Sequence, residues 1–436
     1  MKELFDSVKD YREFLTVDEL DKELKRLCST NEILNIGVSE NGHEILCARL
    51  GNGKKNALVF GSPHPNEPIG CLTTLELIKI IKSDSDLRKE YTWYIVPCSD
   101  PDGVRLNEPW FKGKFSVKKY AYGYYRSPSM LQSEWSFPTK YKRYIFDKSP
   151  KQNQALRKLI DKIKPKINYP LHNAGFSGAF FLLSHEMPKK YYSQVKKLCK
   201  KLCIPLDNGD EMYPFMKKLD DSISIVPLFE QIYDFLEENG QKPWKTMKGG
   251  QASIDYVKKL VPDMFGVVGE IPYIYDKKIE DKSKINKTRR DVNRKKLIEG
   301  TESREFILEV LKLNGVNKKS PFYTMLYVGA KAYIRDQKAR LKKLIDKKYS
   351  TQSTIAEEFT MNVMIKFYIA INLGALHRLL LESRKTPELI KMDDKIRKQI
   401  AWNISYIEKN SNYKTIPIKN LIKIQLGCLL YALEYL

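Results

Sequence analysis

The chain has 436 residues, 42% of them hydrophobic, with 76 Lys and Arg against 53 Asp and Glu for a formal net charge of +23. That apolar share is ample for a packed core, and the length points to a catalytic core with an accessory region. Met1 to Asp6 lack a basic flank followed by an apolar run, and no stretch approaches the ~18 uninterrupted apolar residues of a membrane span, so a cytoplasmic protein without membrane association is expected.

Seven cysteines, an odd and scattered set, form no disulfide framework, and Cys199 and Cys203 lack metal partners nearby in the sequence. Reduced thiols fit best.

Residues 33–38, 44–50 and 56–61 read as short strands, separated by the turn signals Glu40-Asn41-Gly42 and Gly51-Asn52-Gly53. After a Pro-containing loop, Leu72, Leu75, Ile78 and Ile81 fall on one side of a helix over 69–83. A strand at 91–97 ends in the turn formers Asp100-Pro101-Asp102-Gly103. A helix at 151–163, strands at 166–171 and 178–184, helices at 188–203 and 225–239, and a strand from Phe265 to Glu270 continue the alternation. This order predicts an α/β layer fold with functional residues on loops at strand ends.

From about 278 onward the texture becomes long helical patterns with few glycines. The stretch 276–350 carries 22 Lys or Arg against 10 Asp or Glu, roughly half of the excess charge. It reads as a solvated surface or as a dock for an acidic partner, with nucleic acid the less favoured of the acidic partners. The expected division is a catalytic domain over 1–280 and a mostly helical region over 281–436, in which Thr360 to Leu381 and Leu421 to Leu436 are buried helices.

His64 and Glu67, three apart in Ser62-Pro63-His64-Pro65-Asn66-Glu67, and His172 in Leu171-His172-Asn173 are the residue types of an open His2Glu zinc site. Neutral imidazoles and a carboxylate converging from different strand ends leave a coordination position for water, whose proton a nearby carboxylate takes. Glu270, at the end of Val267-Val268-Gly269-Glu270, is the candidate base.

At this point the chain resembles the zinc metallocarboxypeptidase family of carboxypeptidase A type. The matching features run in order: Asn41-Gly42-His43-Glu44-Ile45, His64-x-x-Glu67, Asp100-Pro101-Asp102-Gly103, His172, Ser253-Ile254-Asp255-Tyr256 and Glu270. The resemblance covers roughly residues 30–280. It implies a mixed central sheet with helices on both faces, one zinc ion held by His64, Glu67 and His172, Glu270 as general base and acid, and Ile254 at the base of the side-chain pocket. The implied reaction removes a carboxy-terminal residue from a peptide.

The family's Asn-Arg carboxylate clamp has no literal counterpart, and its tyrosine lid falls at Met247. Arg126 is the candidate for the substrate carboxylate through a bidentate fork, and Arg105 for the developing oxyanion. Asn107 and Asn173 are candidate substrate-binding residues, with Asn107 and Glu108 alternatively fixing the loop around Arg105. Glu134-Trp135-Ser136 reads as a cleft wall or as core, and His185 as an outlying ligand candidate. His43 and His377 read as non-catalytic.

Two other readings stand beside this one. The first is an amide hydrolase for small acyl-amino acids, of the aspartoacylase or desuccinylase kind. The second is a peptide-binding processing protein that docks through its basic region.

Overall fold

The computed structural model describes residues 7–207, 209 and 211–436. The segment Met1–Asp6, read above for targeting, lies outside the described residues.

Helix α1 (Val17–Leu27) opens with a capping box in which Thr16 and Glu19 satisfy each other's backbone N–H groups. Strands β1 (Ile33–Val38) and β2 (Glu44–Leu50) form the predicted antiparallel hairpin, and Gly42 takes φ +85° in its turn. β3 (Lys55–Phe60) leads through the Pro-containing loop into α2 (Ile69–Ser83), and the chain returns along β4 (Tyr91–Val96), parallel to β3.

Asp100 then caps a short helical turn by accepting the Gly103 N–H, while Asp102 accepts from Ser39 Oγ and Asn41 N. The Asp-Pro-Asp-Gly segment therefore fastens the end of β4 to the first hairpin. Helix α3 (Val117–Gly123) and a small separate ladder, β5 (Thr139–Tyr141) with β6 (Tyr144–Phe146), precede α4 (Lys151–Ile163).

The rest of the sheet comes from β7 (Ile167–Pro170), β8 (Asn173–Phe176), β9 (Phe180–Leu183), β10 (Lys218–Asp220), β11 (Ile223–Ile225), β12 (Phe265–Tyr275) and a two-residue strand at Lys414–Thr415, with helix α5 (Lys189–Lys201) between β9 and β10. Its order is β1-β2-β4-β3-β7-β12-β9-β11-β10, with parallel pairs at the centre and antiparallel pairs towards both edges. The sheet is mixed and helices cover both faces. Alternation along the strands shows this directly. Leu46, Ala48, Ala57 and Val59 face a core shared with α2, whereas Ile45, Cys47, Leu58 and Phe60 face α4 and α6 (Ser253–Leu260).

The carboxy-terminal region is helical as expected. Its elements are α7 (Arg289–Val310), α8 (Pro321–Lys343), a continuous helix over 355–381, α10 (Pro387–Asn410) and α11 (Ile418–Ala432). The part of the continuous helix from Ile365 to Leu381 is α9, and a π-helical turn at Thr360–Met364 precedes it. The whole helix is long and apolar enough to cross a bilayer, yet 72% of its apolar window is buried inside the protein, which suits a core helix equally well.

The glycine-bearing segment after His172 forms β8, because β12 runs on past Glu270 and offers it a parallel partner. Within the mostly helical carboxy-terminal region, β13 (Lys284–Thr288) pairs with β14 (Gln352–Thr354) across a long sequence separation.

On α6, Asp255 accepts the Phe229 N–H at 2.8 Å, and burial pushes its carboxyl up to about 7. The folded protein thus binds a proton where the unfolded chain, with a carboxyl near 3.9, is ionised. Stability from this group is full below the unfolded value and is lost as pH rises between about 4 and about 7. Urea midpoints measured across that window should fall for the native protein and fall less for Asp255→Asn. Equal slopes would remove Asp255 as a cause.

Candidate metal centre

β3, β7 and β12 lie side by side and parallel, with Phe60 opposite Pro170 and Phe265 opposite Ile167. Their carboxyl ends open at one edge of the sheet, where loops can converge. After β3, Ser62 takes φ +49° and turns the chain, delivering His64 and Glu67 before α2 begins. His172 stands two residues past the end of β7. Ile271 pairs with Asn173, so Glu270 lies beside the His172 loop.

One donor atom each from His64, Glu67 and His172 lies within 4.8 Å of the others. The three residues are 1%, 0% and 2% exposed. His64 Nδ1, Glu67 Oε2 and both ring nitrogens of His172 are buried without a hydrogen-bond partner, although His172 Nδ1 stands 3.2 Å from Glu67 Oε2. Buried polar atoms are rarely left this way, and two imidazoles with a carboxylate converging on one point fit a divalent cation of zinc type.

Electrostatics agree with that assignment. Burial, then Arg126 and His172, hold the His64 imidazole far below its ordinary value, and burial lowers His172 against the opposing charges of Glu270 and Glu134. Both rings are therefore neutral, the form that binds metal. Burial raises Glu67 to about 8 against Arg126 and the Asn173 N–H, and a bound cation would favour its ionised form. Burial and then Glu67 raise Glu270 to about 7, the range suited to a general base.

Of the other sequence-predicted residues, the structure brings some to this centre and not others. Arg126 Nη1 sits 3.1 Å from Glu67 Oε1 and 3.5 Å from Asn66 Oδ1, so it pairs with a ligand candidate instead of standing apart as a carboxylate clamp. Asn173 and Glu270 line a cavity of about 550 Å³ together with Arg126. Ile254 is buried in an apolar cluster with Leu182, Met216 and Val226, and Phe180, which lines the cavity, packs against that cluster.

Arg105 and Asn107 are not brought in. Arg105 makes a two-pronged pair with Asp18 at 2.6 and 3.2 Å, contacts His43 Nδ1 at 3.3 Å, and borders a different cavity. Asn107 is fully buried. Its Nδ2 donates to the carbonyls of Gly103 and Tyr125, and its Oδ1 accepts from Tyr125 N and Trp110 Nε1. With every polar atom committed, Asn107 fixes the strand of chain that carries Arg126, which is the loop-building alternative in place of substrate contact.

Glu134 accepts from Ser253 N and Oγ, and Trp135 meets the His64 ring edge-on at 5.6 Å, so that loop does wall the centre. His43 bonds Asp21, His185 bonds Ser184 and His377 bonds Asp393, and none of them joins the triad. Met247 packs beside Tyr144, Phe229 and Tyr233, away from the cavity.

Sequence reasoning missed the roof. Thr360, Met364, Ile365, Phe367, Tyr368 and Lys296, all from the carboxy-terminal region, line the same cavity as Glu270. The π-helical turn forms part of this wall, a place where such turns recur. It also missed Gln425 on α11, fully buried, whose Nε2 donates to the His172 carbonyl at 2.9 Å while its Oε1 accepts from Thr73 on α2. An amide inside an otherwise apolar helical run was the available signal, without a direction attached.

Residues 17–130 match the profile of the zinc carboxypeptidase family. No curated protein sequence matches the chain. Among solved structures, the metallo-carboxypeptidase of Burkholderia cenocepacia aligns at 13% identity over 59% of this chain and 60% of its own, with a TM-score of 0.34. Carboxypeptidase A of Helicoverpa armigera aligns at 14% identity over 62% and 71%, with a TM-score of 0.38. Bovine thrombin-activatable fibrinolysis inhibitor aligns at 12% over 61% and 87%, with a TM-score of 0.35. Over the segment that holds His64, Glu67 and the Asp100–Gly103 turn, the chain is thus similar to zinc carboxypeptidases.

Proposed function

We propose that the protein is a zinc-dependent hydrolase that removes a carboxy-terminal residue from a peptide. The observation that carries this reading is the buried His64, Glu67 and His172 cluster, with its unpartnered donor atoms, beside Glu270. A zinc ion held by that set supplies a Lewis acid and an activated water.

The chain's own residues do the rest. A Glu270 oxygen takes the proton of the attacking water and returns it to the leaving amine. Arg126, close to Glu67 and within electrostatic reach of Glu270, takes the role first expected of Arg105 and faces the developing oxyanion. Asn173 borders the bound peptide, and the residues around Ile254 form the apolar floor beneath Phe180. Residues up to about 280 carry the catalytic machinery and the later helices close over it. The seven unpaired cysteines, six of them buried, support a reducing, cytoplasmic setting.

One observation favours the acyl-amino acid reading: residues of the carboxy-terminal helices wall the cavity of about 550 Å³ that Glu270, Arg126 and Asn173 line. The purified protein should carry one zinc per chain by metal analysis. It should hydrolyse short peptides with a free carboxy terminus faster than acylated amino acids of the same terminal residue. Absence of stoichiometric zinc would overturn the metal assignment, and a preference for acyl-amino acids would replace the peptidase by the amide hydrolase.

A further inference from the structure

The resemblance left the substrate's carboxylate without a partner, and Arg126 is already engaged. Its guanidinium pairs with Glu67 in the metal cluster. The other cation lining the same cavity is Lys296, on α7 in the basic stretch 276–350. Elsewhere in that stretch, Lys287 pairs with Glu358, Arg335 with Asp336, and Arg290 donates to the Leu344 carbonyl. Lys296 makes no hydrogen bond or ion pair among the described residues.

We propose that Lys296, supplied by the carboxy-terminal helical region, receives the carboxylate of the bound ligand, so that this region completes the substrate site. Lys296 lines the same cavity as Glu270 and Arg126, together with the aromatic side chains of Tyr368 and Phe367. Lys296 is part-buried and has no anion beside it, so an incoming carboxylate supplies a missing partner. Burial and the nearby Arg340 lower its basicity. Asp207, the other acid on the wall besides Glu270, accepts the Gly209 N–H and makes no ion pair with Lys296.

The inference rests on the hydrolase reading only in assigning the carboxylate to a peptide terminus, so binding and turnover are measured separately. Calorimetry on the zinc-loaded protein compares 3-phenylpropanoate with its neutral amide. A charge-assisted hydrogen bond gives the acid an advantage of about 10- to 100-fold. Lys296→Met should abolish that advantage, Lys296→Arg should retain most of it, and Lys296→Gln should behave like Met if the Met variant does not fold. An advantage preserved in the neutral variants, or absent from the native protein, overturns the proposal.

Hydrolysis of N-acetyl-Gly-Phe, its amide and N-acetyl-Gly-Glu-amide then separates a terminal carboxylate from a side-chain one. Lys296-dependent loss confined to the free acid supports the terminus, whereas loss confined to the Glu amide overturns that assignment. Lys296-dependent binding without any hydrolysis would overturn the peptidase and leave the carboxylate site standing.

Discussion

Glu270→Gln should lower the hydrolysis rate by about 10²- to 10⁴-fold while one zinc stays bound and the affinity for substrate changes little. Glu270 stands at the end of the parallel trio β3, β7 and β12, outside the His64, Glu67 and His172 cluster, so removing its charge takes no ligand from the metal. The amide keeps the size and the backbone pairing of Glu270 with Phe180 but accepts no proton from water. Rate and metal content must be read on the same sample. Unchanged turnover would remove Glu270 from the mechanism, and loss of zinc would place it in the metal shell.

The second large effect concerns the roof. A Cβ on Gly374 would lie 1.9 Å from the Ala121 carbonyl oxygen and 2.7 Å from its carbon. Both residues belong to helices, α9 and α3, which meet here with Phe367 stacked on Tyr120 at 5.6 Å. Ala at this position gains about 1 kcal/mol of helix propensity, but neither backbone can yield locally, and overpacking of this kind costs about 1–3 kcal/mol or more.

The clash therefore wins. Gly374→Ala should lower the Tm, and Gly374→Leu should lower it further and loosen the wall built by Phe367 and Tyr368. Gly329 on α8 is the control, because nothing lies within 4 Å of a Cβ there and Gly329→Ala should raise the Tm. Thermal unfolding of the three variants decides it. Parallel shifts for Gly374→Ala and Gly329→Ala would mean that α9 does not seat closely on α3.

The elements that position the metal centre were legible because each depends on local information. Helices over 69–83 and 151–163 follow from apolar spacing, and β3, β7 and the first half of β12 are apolar runs stopped by loop residues. The features that escaped depend on partners distant in sequence. β8 exists because β12 continues beyond Glu270, and β13 finds β14 more than sixty residues later. Arg105 looked available until Asp18, 87 residues earlier, took both ends of its guanidinium. Lys296 was one of 22 basic residues in its stretch, and a charge count carries no information about which of them faces inward.

Gln425 sets a schedule. Its amide reaches the His172 carbonyl across 253 residues of chain. At about 5–20 residues per second of synthesis, His172 leaves the peptidyl-transfer centre roughly 10–50 s before its brace exists. During that interval the ligands have been made and the sheet edge that gathers them is unfinished. Metal capture by a fixed site is therefore a late event in the life of the nascent chain.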